Sequence, residues 1–298
     1  MQISGWINFN KPKGMSSAKA VAIVKRGFQV KKAGHIGTLD PLASGVLPIA
    51  INEATKAIQF IKEDTKVYNF ELHFGSQTTT DDDEGEIIHS SANYPTQAEI
   101  ISILPQFIGE ILQTPPIYSA IKLNGRRAYD LARDNIEIEL TARPIVIDDI
   151  KLIKQLSENV YQIRVTCQKG TYIRSLARDI AIKLGTFGHA RNIIREKVGL
   201  FSLDMSISLE KFENLVHKDK LRDSVYPIGV VLDDILAIQL DSTQVDRLRK
   251  GQSLNASEFD ANLAGISLLI AHEQNNIVAV CEVIDEEIKP KRGFNINK

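Results

Sequence analysis

The 298 residues, 43% apolar and 24% charged, suffice for one large domain and a small one of ordinary soluble composition. A formal net charge of −1 excludes a chain-wide basic coat, so any contact with nucleic acid has to come from local patches. No window approaches the roughly 18 uninterrupted apolar residues of a membrane helix, the start MQISGWINFNKPKG lacks a signal peptide's apolar core, and Cys167 and Cys281 stand far apart without zinc-ligand spacing. A cytosolic location with two ordinary buried thiols is expected.

Along the chain, residues 5–9 read as a short strand and residues 16–27 as a helix, with Ser16 or Ser17 as N-cap and Ala20, Val21, Ile23 and Val24 as its apolar positions. A glycine-rich segment, KAGHIGTLDPLASGVLP, fills residues 32–48. Residues 66–74 alternate as a strand, the acidic run 81–84 reads as a turn, and residues 97–107 as a helix. Pro115-Pro116 breaks the chain before a basic excursion carrying Lys122, Arg126, Arg127 and Arg133 beside Tyr118 and Tyr129. Residues 161–167 alternate again, and residues 172–184 place Ile173, Leu176, Ala177, Ile180 and Leu184 at helical spacing. A second basic run holds Arg164, Lys169, Arg174 and Arg178 with no acid between its ends. Near residues 226–234 the character changes to short strand-like runs, ISLLIAH and NIVAVCEVI, divided by Asn275-Asn276. Strands interleaved with helices indicate an α+β fold, divided at residues 1–236 and 237–298.

Within residues 32–48 one acid, Asp40, has few ways to move. Gly34 and Gly37 precede it, Pro41 fixes the next φ, and Gly45 and Pro48 close the segment. Asp before Pro is also a common turn starter. The apolar neighbours Leu39, Leu42, Val46, Leu47 and Ile49 favour a packed turn, in which a carboxylate needs a partner to stay ionised.

GHIGTLDPLASGVLP resembles the signature of the bacterial tRNA pseudouridine synthases of the TruB type. NKPKGMSS, KVYNFELHFGSQTTTDDDEG, TPPIYSAIKLNGRRAYDLAR and GTYIRSLARDIAIKLG match further blocks in the family's order, so the resemblance spans most of residues 6–200. It implies a central mixed, mainly antiparallel sheet flanked by helices, followed by a small PUA-like β domain. It also implies that Asp40 is the catalytic acid, that Arg174 pairs with it, and that Tyr68 stacks on the target base. Tyr172 would pack or hydrogen-bond around the acid, His35 would fill the gap left by extruded bases, and Ile193 would wall the pocket. Lys11 would contribute to the substrate cleft, bracing it more than touching RNA. The family usually has Leu-Arg-Arg where this chain has Ile193, Ile194 and Arg195, so Ile194 replaces one expected cation. Asp82 matches the family's acid in the run 81–84.

The implied reaction isomerises uridine 55 in the tRNA T-loop, with a stand-alone monomer, the T-arm as its partner, no guide RNA, no metal and no organic cofactor. An ionised carboxylate can attack the sugar or the base, or remove a sugar proton to give a glycal, and the sequence does not choose among these. Two other readings remain open: an RNA-folding module using the same cleft, and a guided relative within a ribonucleoprotein.

Overall fold

The computed structural model describes residues 3–295 apart from 62–64, 120, 124, 135, 137, 219, 260–262 and 264. The side chains of Lys122, Arg127 and Arg133, three of the four cations expected in the excursion, also lie outside what is described. In chain order the first half contains β1 (Gly5–Lys11), α1 (Ser17–Gly27), β2 (Ala33–His35), β3 (Ser44–Ile51), β4 (Lys66–Phe74), β5 (Ser76–Thr78), β6 (Ile87–Ser90), α2 (Gln97–Ile103) and β7 (Gly109–Gln113). The excursion holds β8 (Lys122–Leu123), β9 (Arg126–Arg127) and α3 (Ala128–Arg133). There follow β10 (Arg143–Ser157), β11 (Val160–Cys167), α4 (Ile173–Lys183), β12 (Gly188–Val198), β13 (Phe201–Ser202), β14 (Ile207–Ser208) and α5 (Leu209–His217). The last part is β15 (Ala237–Gln239), α6 (Ser242–Arg249), β16 (Leu254–Asn255), β17 (Leu268–Glu273), β18 (Asn276–Ile284) and β19 (Glu287–Gly293).

Among the described residues the main sheet runs β14-β1-β3-β12-β4-β11-β10-β7, with β2 paired to β3 and β13 to β12. Only the β1–β14 and β12–β3 pairs are parallel, giving the mixed, mainly antiparallel sheet expected. The pleat sorts side chains to two faces. Ile7, Phe9, Leu47, Ile49 and Phe70 point to the face covered by α1, α2, α4 and α5, where Ala20, Val24, Leu176, Ile180 and Phe212 meet them. Trp6, Val46, Ala50 and Val198 point to the other face and pack under Ile228, Leu232, Ile270, Ile277 and Phe294. The second sheet, β15-β17-β18-β19-β16, also has a core of its own around Ile238, Val245, Leu254, Leu269 and Ile288.

Local chemistry sets the element ends. Ser16, not Ser17, caps α1, its hydroxyl accepting the Lys19 N–H, which leaves Ser17 free for another task. Thr96 and Glu99 form a capping box at the start of α2, and the last turn of that segment tightens to a 3₁₀ helix over Leu104–Phe107. Asn192, at φ +45°, marks a register break in β12 against β4 between Arg191 and Ile194.

The join between β3 and β12 is tight. Gly45 has φ +107°, and a Cβ there would lie 2.2 Å from the Arg195 carbonyl oxygen. Only glycine combines that φ with such close backbone approach. Gly45→Ala is therefore expected to destabilise the chain by at least about 3 kcal/mol, read from the urea midpoint at constant m.

Candidate active site

The loop between β2 and β3 is held by its own backbone oxygens. Lys11, at the end of β1 and fully buried, donates its ammonium protons to the carbonyls of Met15 at 2.6 Å, Ala43 at 2.5 Å, Pro12 at 3.1 Å and Pro41 at 3.2 Å. Arg195, also fully buried, donates from Nε to the Val46 carbonyl at 2.7 Å, from Nη2 to Gly37 at 3.0 Å and from Nη1 to Thr38 at 3.4 Å. Ser17 closes the set by accepting the Leu39 N–H and donating to the Leu39 carbonyl. A loop carrying this many carbonyls toward the core has to satisfy them without a ladder, and two cations do it. Burial brings the Lys11 ammonium down to about 8, against the favourable charge of nearby Asp40 and with the unfavourable charge of Arg195.

With the backbone fixed, the direction of the Asp40 carboxylate is set by the group it pairs with. Its Oδ2 accepts from Arg174 Nε at 2.9 Å, and its side chain remains 39% exposed while that of Arg174 is 5% exposed. Arg174 stands in the first turn of α4 and is fully engaged: Nη1 donates to the Thr80 carbonyl at 2.9 Å, Nη2 to the Tyr118 carbonyl at 3.0 Å, and Asp82 Oδ2 lies 3.5 Å from Nε. The guanidinium thus ties the acid loop, the 78–84 turn and the root of the excursion together. Asp82 is held in turn by the Thr80 hydroxyl and the Glu84 N–H.

The remaining expected residues gather around this pair to different degrees. Tyr68 is 7% exposed on β4, in the same apolar cluster as Leu39 and Ile193, and its hydroxyl lies 3.5 Å from Arg195 Nη1. Burial pushes its phenol up, opposed by Arg195. Tyr172 is the N-cap residue of α4, its backbone clamped on both sides by the buried Gln113 amide, and burial also raises its phenol. His35 is on β2 opposite Ile49; burial and Arg195 lower its pKa, and its Nδ1 is buried without a hydrogen-bond partner. Lys11 is no surface contact: its ammonium is consumed by the four carbonyls, so its place in the site is inside the loop rather than against a substrate.

Two expectations change. The run from Arg164 to Arg178 is not a patch of free cations: Arg174 and Arg178 are turned inward onto Asp40, Asp82, Asp81 and Asp179, and Arg164 is paired with Glu196. The acids lie distant in sequence or just beyond the run, which is why local charge counting overlooked them. Arg195 is the other change, because its neighbour Ile194 drew attention for a missing cation yet is 37% exposed, whereas Arg195 faces inward and carries half of the loop. Alternation from the buried Ile193 puts Arg195 on the core face, and that was the available signal. Ser17 and Gln113 gave no comparable signal, since each acts on a backbone far away in sequence.

Comparison with known proteins sets this geometry in context. Residues 25–173 match the model described as "TruB family pseudouridylate synthase (N terminal domain)". The protein named tRNA pseudouridine synthase B from Caulobacter vibrioides is 40% identical over 99% of this chain and 97% of its own length. One of the same name from Ehrlichia canis is 39% identical over 98% of each. Among solved structures, the crystal structure of a Cbf5-Nop10-Gar1 complex contains a chain that is similar with a TM-score of 0.72 and 25% identity, over 99% of this chain and 84% of that one. Matched through half its length by the family model and along nearly all of it by these relatives, the chain belongs to the TruB family of pseudouridylate synthases.

Proposed function

We propose that this pseudouridine synthase acts on tRNA, converting uridine 55 of the T-loop as a stand-alone monomer in the cytoplasm, with Asp40 as the acid that begins the reaction. The observation that carries the reading is a partly exposed carboxylate gripped by a buried arginine on a loop whose backbone is fixed from Gly37 to Val46. The names of the bacterial relatives support tRNA as the substrate class. Residues 1–236 form the catalytic part and residues 237–298 a PUA-like part that adds RNA contacts.

The isomerisation balances without an electron acceptor or group donor: the N1–C1′ bond breaks, a C5–C1′ bond forms, the C5 proton leaves and N1 gains one. The bound protein therefore has to supply an anion, a place for the turning base, and acid-base groups. Asp40 serves as nucleophile or base. Tyr68, whose burial disfavours the phenolate, offers a ring face for stacking, at about 1–3 kcal/mol per base. That offsets much of the few kcal/mol needed to extrude a nucleotide from its stack. His35, neutral and with an unmet ring nitrogen, suits the gap the extruded bases leave. Ile193 closes the apolar wall and Tyr172 flanks the acid.

A T-arm hairpin incubated in EDTA with the purified protein is expected to be converted, with affinity falling steeply across a salt series and the saturated rate nearly constant. Asp40→Asn should abolish conversion while keeping RNA affinity within about tenfold, because only the anion can perform the step. Conversion that required a second RNA would favour the guided reading instead.

Lys11 gives a pH test of the same site. Its folded value of about 8 lies below the ordinary 10.5, so between these the unfolded chain binds the proton and the folded chain does not; the group's contribution to stability rises with pH there. Deprotonation simultaneously weakens the carbonyl bonds that brace Asp40. The saturated rate is expected to fall above about pH 8 while urea stability from this group does not. A rate flat to pH 10 would remove Lys11 from the brace.

A further inference from the structure

Arg174 and Arg178 are four residues apart on α4 and so share one face of the helix. Each grips one of two adjacent acids: Arg174 lies 3.5 Å from Asp82, and Arg178 Nη1 donates to Asp81 Oδ2 at 2.8 Å. Each also donates from Nη2 to a carbonyl four residues apart in the segment leading into the excursion, Arg174 to Tyr118 and Arg178 to Thr114 at 2.8 Å. The result is a ladder of two rungs joining α4, the 78–84 turn and the excursion's root. Arg178 further holds Asp179 at 2.9 Å, and all three side chains of this second rung are mostly buried.

Asp81 makes the rung unusual. It sits at φ +58°, a conformation that is uncommon outside glycine, and is only 5% exposed. Its carbonyl accepts the Ala190 N–H of β12, and Gln77 donates to its other carboxylate oxygen. The second rung therefore fixes the turn that presents Asp82 and the Thr80 carbonyl to Arg174.

Resting on the proposed pseudouridylation, we propose that Arg178 is a positioning residue for the reaction: by neutralising Asp81 and Asp179 and anchoring Thr114, it keeps Arg174 committed to Asp40. Without it, the buried Asp81 carboxylate, which already interacts with Arg174, would be left unpaired and would compete with Asp40 for the same guanidinium. Burial pushes the Asp81 and Asp179 carboxyls up even with Arg178 present, so an Asp81 that stays ionised without Arg178 must draw more heavily on Arg174. Arg178 bonds to Asp81, Asp179 and the Thr114 carbonyl rather than to Asp40, and it acts through Arg174.

Single-turnover conversion of the T-arm hairpin at saturating enzyme tests this. Arg178→Gln is expected to lower the saturated rate by at least about tenfold while the hairpin Kd changes by less than about threefold, since the loss is in geometry at the acid. Adding Asp81→Asn to Arg178→Gln removes the competing charge and should restore most of the rate, a rescue that general loosening of the fold would not give. Arg178→Lys, which keeps the charge but cannot serve Asp81, Asp179 and Thr114 together, should fall between. Folded Arg178→Gln and Arg178→Lys proteins at the wild-type rate would overturn the inference alone. So would a rate loss that Asp81→Asn fails to relieve. A wild-type protein that converts no hairpin would overturn the underlying reading, and this inference with it.

Discussion

The structure depends on how the carbonyls of one loop are satisfied. Between β2 and β3 the chain carries the oxygens of Gly37, Thr38, Leu39, Pro41 and Ala43 outside the ladders, and Lys11, Arg195 and Ser17 take them up, with Arg195 also reaching the Val46 carbonyl near the start of β3. Burying a lysine and an arginine is costly, and the carbonyl dipoles around both, with the Asp40 charge near Lys11, offset part of that cost. Either cation replaced by an apolar residue would leave several buried acceptors open at once, which is why the loop has essentially one arrangement. That arrangement fixes the backbone of Asp40, and the Arg174 guanidinium then aims its carboxylate.

The sheet exists in the right shape to deliver these groups. Lys11 ends β1, Arg195 lies near the end of β12, and β3 runs between them, antiparallel to one and parallel to the other. The register break at Asn192 precedes the Ile193-Ile194-Arg195 stretch that sends Ile193 and Arg195 inward. Behind the loop, the second sheet packs on Val46, Ala50 and Trp6, with the Trp6 indole donating to Ile228 and Lys56 to Gly293. The C-terminal sheet is therefore part of the support of the acid loop, and its removal would bare an apolar face of the main sheet.

Much of this was legible in the sequence because it is local. The Ser16 cap, the alternation of β4 and β11, the apolar spacing of α4 and the framed Asp40 all follow from neighbours within a few residues, and the structure has each of these elements. What was not legible is the pairing of charges across distance. Arg174 finds Asp40 across 134 residues and Arg178 finds Asp81 across 97, so a run that reads as surface cations becomes a buried ladder. Lys11 reads as a cleft residue, and only the three-dimensional path of the loop brings the Pro41 and Ala43 carbonyls to its ammonium beside the nearby ones of Pro12 and Met15. Ile194 and Arg195 read alike as neighbours in a strand, and only the pleat separates the exposed Ile194 from the buried Arg195.

In the proposed reaction Asp40 depends on one planar guanidinium that holds it and three other oxygens in fixed directions. Arg174→Lys keeps the positive charge and discards the fork. In single-turnover conversion of a T-arm hairpin at saturating enzyme, the account predicts a loss of at least about 100-fold with hairpin affinity nearly unchanged, since displacement of order 1 Å at the reacting group costs that much. A folded Arg174→Lys protein that converts the hairpin at close to the wild-type rate would contradict it.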